Sequence, residues 1–264
     1  MVLSLAAVGL TMAAIVFVGL PAASGPLARH TPPDLERQIG DSFDAQLGLG
    51  MKTCSGGEGQ AALARFGHQL QARTGTPFDI RVRAVRAPFA NAMALPGGRI
   101  LVTDKLIAFT RTPDELSAVI AHEVAHVERR HVMQAMWRSL GAGLLLDLVV
   151  GGGSGAGQQA VLLAGSASDL RYSRRAEAEA DARGMELLQA EGLSSQGMAP
   201  FFRRVAAGDG EKAASPLREL VSSHPDSLRR AQVSAAHARP GAAAFDTQAW
   251  ASIRAACPPA RAPR

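Results

Sequence analysis

Five consecutive residues, His122-Glu123-Val124-Ala125-His126, place two imidazoles and a carboxylate at a spacing that can do hydrolytic chemistry. On a helix, residues four apart lie one above the other on the same face, so His122 and His126 can converge on one metal ion. Two neutral nitrogens suit Zn²⁺ and leave room for a water molecule. Glu123 then stands beside that water, where a carboxylate can take its proton as it attacks a carbonyl. The pentapeptide therefore carries two ligands and a base, and it predicts one zinc ion per chain.

A catalytic zinc with two histidines wants a third protein ligand and an open fourth position. Glu177 and Asp181 are candidates, again four apart on one face of a second helical stretch. Glu177 could ligate while Asp181 orients a zinc histidine through its other nitrogen. Glu179, between them, points elsewhere. On a solvated helix the same three acids would simply pair with the surrounding arginines.

These side chains need a rigid carrier. Thr112-Pro113-Asp114-Glu115 combines an N-cap threonine, a proline at the first helical position and a glutamate at the third, a strong helix start. Leu116, Val119, Ile120, Val124 and Val127 then form a buried stripe that sets the histidines on a core helix. Upstream, Leu35, Ile39, Phe43 and Leu47 mark one amphipathic helix, ended by Gly48 and Gly50, and Leu63, Phe66 and Leu70 mark another. Phe78, Ile80 and Val82 alternate with Asp79, Arg81 and Arg83 as a half-buried strand does. Phe89 to Leu95 and Arg99 to Thr103 flank Pro96-Gly97-Gly98, which reads as two strands joined by a tight turn.

Downstream, the apolar, glycine-rich run Gly141 to Gly157 reads either as a mobile segment near the active site or as a plain helix connection. A second long helix is predicted over Gln158 to Gln189, with further helices over Ser195 to Ala206 and Pro225 to Ala238. A last helix carries Trp250, Ile253 and Cys257 on one face. There is no internal repeat. The expectation is a mostly helical α+β fold with a small sheet, one domain over residues 25–264.

With 264 residues and 47% hydrophobic content the chain can bury a substantial core. Its net charge of +5 comes without a basic run interleaved with aromatics, which argues against nucleic-acid binding. Residues 1–24 read as a signal peptide or a membrane anchor. Val2 to Leu20 is almost wholly apolar, Ala22-Ala23-Ser24 offers small residues for cleavage, and no positive charge precedes them. Either reading exports the protein to the periplasm or cell envelope, the second with membrane association. In an oxidising compartment Cys54 and Cys257, the only cysteines, would join near the two ends of the mature chain. Closing so long a loop is worth roughly 4–5 kcal/mol in the chain-entropy picture. Two unrelated buried thiols are the alternative.

The H-E-x-x-H run followed by Arg130-His131, Tyr172-Ser173-Arg174 leading into Glu177-Ala178-Glu179-Ala180-Asp181, and His224-Pro225, in that order, resembles the metallopeptidase family that contains HtpX, BepA, LoiP and the CAAX prenyl proteases. The likeness covers Pro33 to Cys257 and is strongest to the soluble, BepA- and LoiP-like bacterial envelope branch. It implies a gluzincin-like fold, Glu177 as third zinc ligand and Asp181 supporting a ligand from behind. Asn91 to Gly98 is similar to the family's segment leading into the edge strand beside the catalytic helix. By that resemblance Arg99, Ile100, Leu101, Val102 and Thr103 would hold an extended substrate by strand addition. Asp104-Lys105 departs from the asparagine and glycine often found after that strand.

His224 resembles a histidine that can take the fourth zinc position and hold the enzyme shut; a helix-cap role is the alternative. Arg229 or Arg230 would stabilise the oxyanion, or else form a structural ion pair. His131, five residues from His126, has rotated off the ligand face and reads as structural. The implied activity is zinc-dependent endoproteolysis of misfolded or extended envelope proteins, in contact with envelope assembly machinery. A zinc-containing chaperone or assembly factor with little proteolysis is the competing reading.

Overall fold

In the computed structural model, which describes residues 10–11, 14–150, 172–207, 217–224 and 226–258, the first elements are a π-helical turn, Ile15–Gly19, and α1 (Leu20–His30). Pro32 pushes Thr31 out of the helical region, so α1 ends at His30 with Thr31 extended. Pro33 then opens α2 (Pro33–Gly50) at a position that needs no N–H. β1 (Lys52–Thr53), α3 (Gly57–Gln71), β2 (Arg81–Arg86), β3 (Ala92–Ala94), β4 (Arg99–Thr103) and a short α4 (Asp104–Phe109) follow. α5 (Pro113–Glu128) carries the H-E-x-x-H residues. The rest is α6 (His131–Val150), α7 (Arg174–Ala190), α8 (Met198–Ala207), α9 (Arg218–Ser223), α10 (Ser227–His237) and α11 (Thr247–Arg254). The result is the mostly helical α+β architecture expected.

The four strands lie in the order β1-β2-β4-β3, with β2 parallel to β4 and the other pairs antiparallel. Gly97 and Gly98 make the β3–β4 turn at φ of 75° and 93°, where a side chain would be strained. Two expectations need correction. The strand predicted from Phe78 starts later, at Arg81, because Gln71 Oε1 accepts the Ile80 N–H at 2.7 Å and removes it from the ladder. Phe78 stays buried under the Arg37 and Arg130 guanidinium groups. More important for function, Arg99 to Thr103 is not an edge. β4 pairs with β2 on one side and β3 on the other, so its backbone has no free row to offer a substrate. The edge strand on that side is β3.

α5 runs between the sheet and α7, with Leu116, Ile120, Val124 and Ala125 fully buried. Thr112 Oγ1 accepts the Glu115 N–H at 3.2 Å, as the sequence predicts. α7 approaches α5 across Ala176, Ala180 and Gly184, and a Cβ on Gly184 would stand 2.9 Å from the His122 nitrogen. That close approach brings the acids of α7 within reach of the histidines.

Other boundaries moved for local reasons. Residues 141–150 continue α6 as helix; residues 151–157, and the start of the helix predicted over Gln158 to Gln189, lie outside the described residues. α7 begins only at Arg174, because Ser173 Oγ accepts the Ala176 N–H at 3.1 Å and caps it. Ser195, the predicted start of α8, instead exchanges hydrogen bonds with Arg239, so that helix opens at Met198. α10 opens at Ser227, behind the unanticipated α9. Cys257 lies past the end of α11 and forms a disulfide with Cys54, their Cα atoms 4.7 Å apart. Ala22 to Ser24 sit within α1, which packs along α6. Among the described residues no helix is long and apolar enough to cross a membrane.

Candidate active site

His122 and His126 turn their Nε2 atoms toward each other at 2.9 Å. Across from them, Glu177 places Oε2 3.6 Å from His122 Nε2 and Oε1 3.4 Å from His126 Nε2. His224 adds Nδ1 at 3.3 Å from His122 Nε2 and 3.1 Å from Glu177 Oε2. All four side chains are buried. A tetrahedral zinc with bonds of about 2.0–2.1 Å holds its donors about 3.3–3.4 Å apart, so these separations are those of one zinc site.

Proton accounting leads to the same ion. Asp181 Oδ1 is 2.9 Å from His122 Nδ1, which must carry the proton of that bond and leaves the Nε2 lone pair facing inward. Burial holds His126 neutral, its pKa well below the usual histidine value. Burial alone would raise the Glu177 carboxyl, but the charges of His224 and Arg230 override it and hold the group well below the normal range. Lone pairs and a carboxylate thus converge on one buried point, an arrangement that suits a metal cation. The donor set of nitrogens and carboxylate oxygen is the one zinc takes.

Asp181 is itself braced. Arg230 donates from Nε and Nη2 to its two oxygens at 2.7 and 2.6 Å and sets Nη1 2.6 Å from Glu177 Oε2. Burial pushes the Asp181 carboxyl up, and Arg230 more than offsets this, holding it down at about 2. The same guanidinium lies over the Phe202 ring, 3.9 Å from its centroid. Arg230 is therefore in the site, hydrogen-bonded to Asp181 and ion-paired with Glu177. Arg229 is exposed and lines a groove of about 590 Å³ between α7 and α10, whose wall also includes Glu177, Asp181 and Arg230.

Glu123 sits next to the donors without joining them. Its Oε2 accepts the Ala94 N–H of β3 at 2.8 Å, and its Oε1 is 3.6 Å from His224 Nε2. Burial pushes its carboxyl up, against the pull of His224 and His122. Beside it, Val119, Met198, Phe201, Phe202 and Leu220 enclose only about 10 Å³, space for about one water.

The sequence did not point to several of these contacts. The Tyr172 ring stacks on His126 with centroids 3.9 Å apart. His131 and Glu179 do lie off the ligand face, as read from their spacing, but they meet behind His126. His131 Nδ1 is 3.0 Å from His126 Nδ1, and His131 Nε2 is 3.4 Å from Glu179 Oε2. Arg130, at φ 54°, makes the turn between α5 and α6 that brings His131 back. Its guanidinium ties this turn to Glu36, to the Arg29 carbonyl at 3.1 Å and to the Thr31 carbonyl at 2.7 Å. Only the unbroken Arg130-His131 pair hinted at this cluster.

A helix bearing H-E-x-x-H, completed by a glutamate from a second helix packed on it, defines a zinc metallopeptidase. The chain belongs to peptidase family M48, whose model matches residues 58–237. It is 29% identical over 161 residues to a beta-barrel assembly-enhancing protease of Yersinia pestis, covering 54% of this chain and 33% of that protein. It is 31% identical over 162 residues to metalloprotease LoiP of Escherichia coli (strain K12), covering 60% and 62%. To the mitochondrial metalloendopeptidase OMA1 of Schizosaccharomyces pombe it is 28% identical over 149 residues, covering 56% and 44%. The chain thus spans less than two thirds of the length of each of these relatives.

Proposed function

We propose that this protein is a zinc-dependent metalloendopeptidase that hydrolyses peptide bonds in misfolded or extended proteins of the cell envelope. The observation that carries the reading is the placement of Glu123: buried beside the donor cluster, outside it, and aimed by the Ala94 N–H. His122, His126 and Glu177 would hold the ion, which when bound acidifies water and polarises a carbonyl. Glu123 takes the proton of the attacking water and returns it to the leaving amine. Asp181 keeps His122 in the tautomer that ligates, and Arg230 holds both carboxylates in place.

β3 is the strand we assign to the substrate in place of β4. Leu95 N–H and Asn91 C=O bond to β4, so Ala92 and Ala94 turn their backbone groups the other way. An extended peptide adding there would lie along α5. His224 occupies the fourth corner of the donor set, and we read it as a latch that must leave before a peptide carbonyl can enter. The small apolar space beside Glu123 fits a closed state. Likeness to the assembly-enhancing protease and LoiP, and a disulfide suited to an oxidising compartment, support an envelope location and a role beside the assembly machinery there.

The test compares casein cleavage and zinc content in wild type and Glu123→Gln. Loss of cleavage with zinc retained is expected; cleavage surviving the substitution would sink the mechanism. A second reading, a zinc-containing chaperone, draws on the same filled fourth corner. Full rescue of an unfolded client by Glu123→Gln, without cleavage by either form, would favour it.

A further inference from the structure

The two zinc histidines are supported differently from behind. His122 gives its Nδ1 proton to Asp181, a carboxylate fixed by Arg230. Among the described residues His126 meets no carboxylate at its Nδ1; another imidazole stands there, His131, at 3.0 Å. If His126 Nε2 is to ligate, its Nδ1 must keep the proton and needs an acceptor. His131 Nδ1 must then be the bare nitrogen, which puts the His131 proton on Nε2, the atom facing Glu179 Oε2 at 3.4 Å. Glu179 in turn accepts from Arg175 Nε at 2.8 Å on the surface.

We infer that His131 and Glu179 are positioning residues for the metal: a relay from Glu179 through His131 sets the tautomer and orientation of His126 and so the strength with which the site holds zinc. The inference rests on the zinc reading above. It makes Glu179, whose side chain is 43% exposed, a point at which the surface reaches the metal through His126. His131 is buried and fixed by the turn at Arg130, and Glu179 holds His131 through Oε2 and Arg175 through Oε1. Zinc retention is thereby coupled to a surface ion pair.

Zinc affinity is measured on the full chain by competition with a chromophoric chelator, alongside thermal midpoints of the metal-free proteins. His131→Leu should bind zinc about 10–100-fold more weakly, the usual cost of losing such a partner. His131→Asn, whose amide oxygen can stand where Nδ1 stood, should recover most of that loss. Glu179→Ala removes the acceptor from a partly exposed position and should lower affinity without moving the metal-free midpoint, which keeps the test decisive if His131→Leu does not fold. Wild-type affinity in Glu179→Ala, or in a folded His131→Leu, overturns the relay. Asparagine no better than leucine at position 131 also overturns it, since packing would then explain the loss. Absence of zinc binding by wild type would overturn the zinc reading itself, a result distinct from these.

Discussion

The backbone N–H of Ala94 donates to the Glu123 carboxylate at 2.8 Å, so the sheet edge and the H-E-x-x-H helix meet at the proposed base. The atom that aims Glu123 belongs to the strand assigned to the substrate. Because Ala94 directs its N–H away from β4, a proline there removes this donor without removing a ladder hydrogen bond. Ala94→Pro should retain zinc and lower casein kcat/KM by about tenfold to a hundredfold, the range for a hydrogen bond to a charged group. Wild-type kcat/KM in a folded Ala94→Pro protein would show that Glu123 needs no such aim.

His224 touches three of the site's groups: His122, Glu177 and Glu123. If it is a latch closed about ten to one, His224→Ala should raise casein turnover by about tenfold. Steady-state cleavage at matched zinc content measures this. Unchanged or lower turnover would instead make His224 a capping or catalytic group.

Arg230 pairs with two buried carboxylates, Glu177 and Asp181. Arg230→Met should destabilise the metal-free protein by about 3–5 kcal/mol, because both buried carboxylates would lose the guanidinium they share. Zinc restores a cation beside Glu177, so adding it should raise the thermal midpoint of the variant by more than that of wild type. Equal shifts in the two proteins would mean that the guanidinium and the ion act on separate groups.

The Cys54–Cys257 bridge spans 203 residues of chain. Replacing both cysteines with serine should cost roughly 4–5 kcal/mol in urea unfolding, the chain-entropy value for so long a loop. Zinc stoichiometry of the folded protein should not change, since the bridge lies on the α3 and α11 side, away from the donors. Labelling of two thiols in the native, unreduced protein would remove the bridge altogether.

Legibility in the sequence followed the range of the interactions. His122, Glu123 and His126 could be read because a single helix sets their spacing, and Thr112 and Pro113 announce that helix. Glu177 and Asp181 were readable as a pair for the same reason. Strand order was not: Ile100-Leu101-Val102 is a continuous apolar run that shows both faces covered but not which of its sides are paired, and the β2–β4 pairing is parallel and non-local. The contacts of His131 and Glu179 were missed because helical spacing describes one face of one helix, and these side chains meet between two helices across a left-handed turn. Of the Arg229-Arg230 pair, only three-dimensional packing tells which arginine enters the site.

The disulfide has a further consequence for an enzyme whose proposed substrates are polypeptides. A single cut at any bond between residues 54 and 257 leaves both fragments in one covalent molecule, still held by the bridge. Self-cleavage within that stretch would not change the mass seen on a non-reducing gel beyond one added water, and only a reducing gel would separate the pieces. Material judged intact by the first method can therefore be a nicked ring, and preparations should be compared by the second.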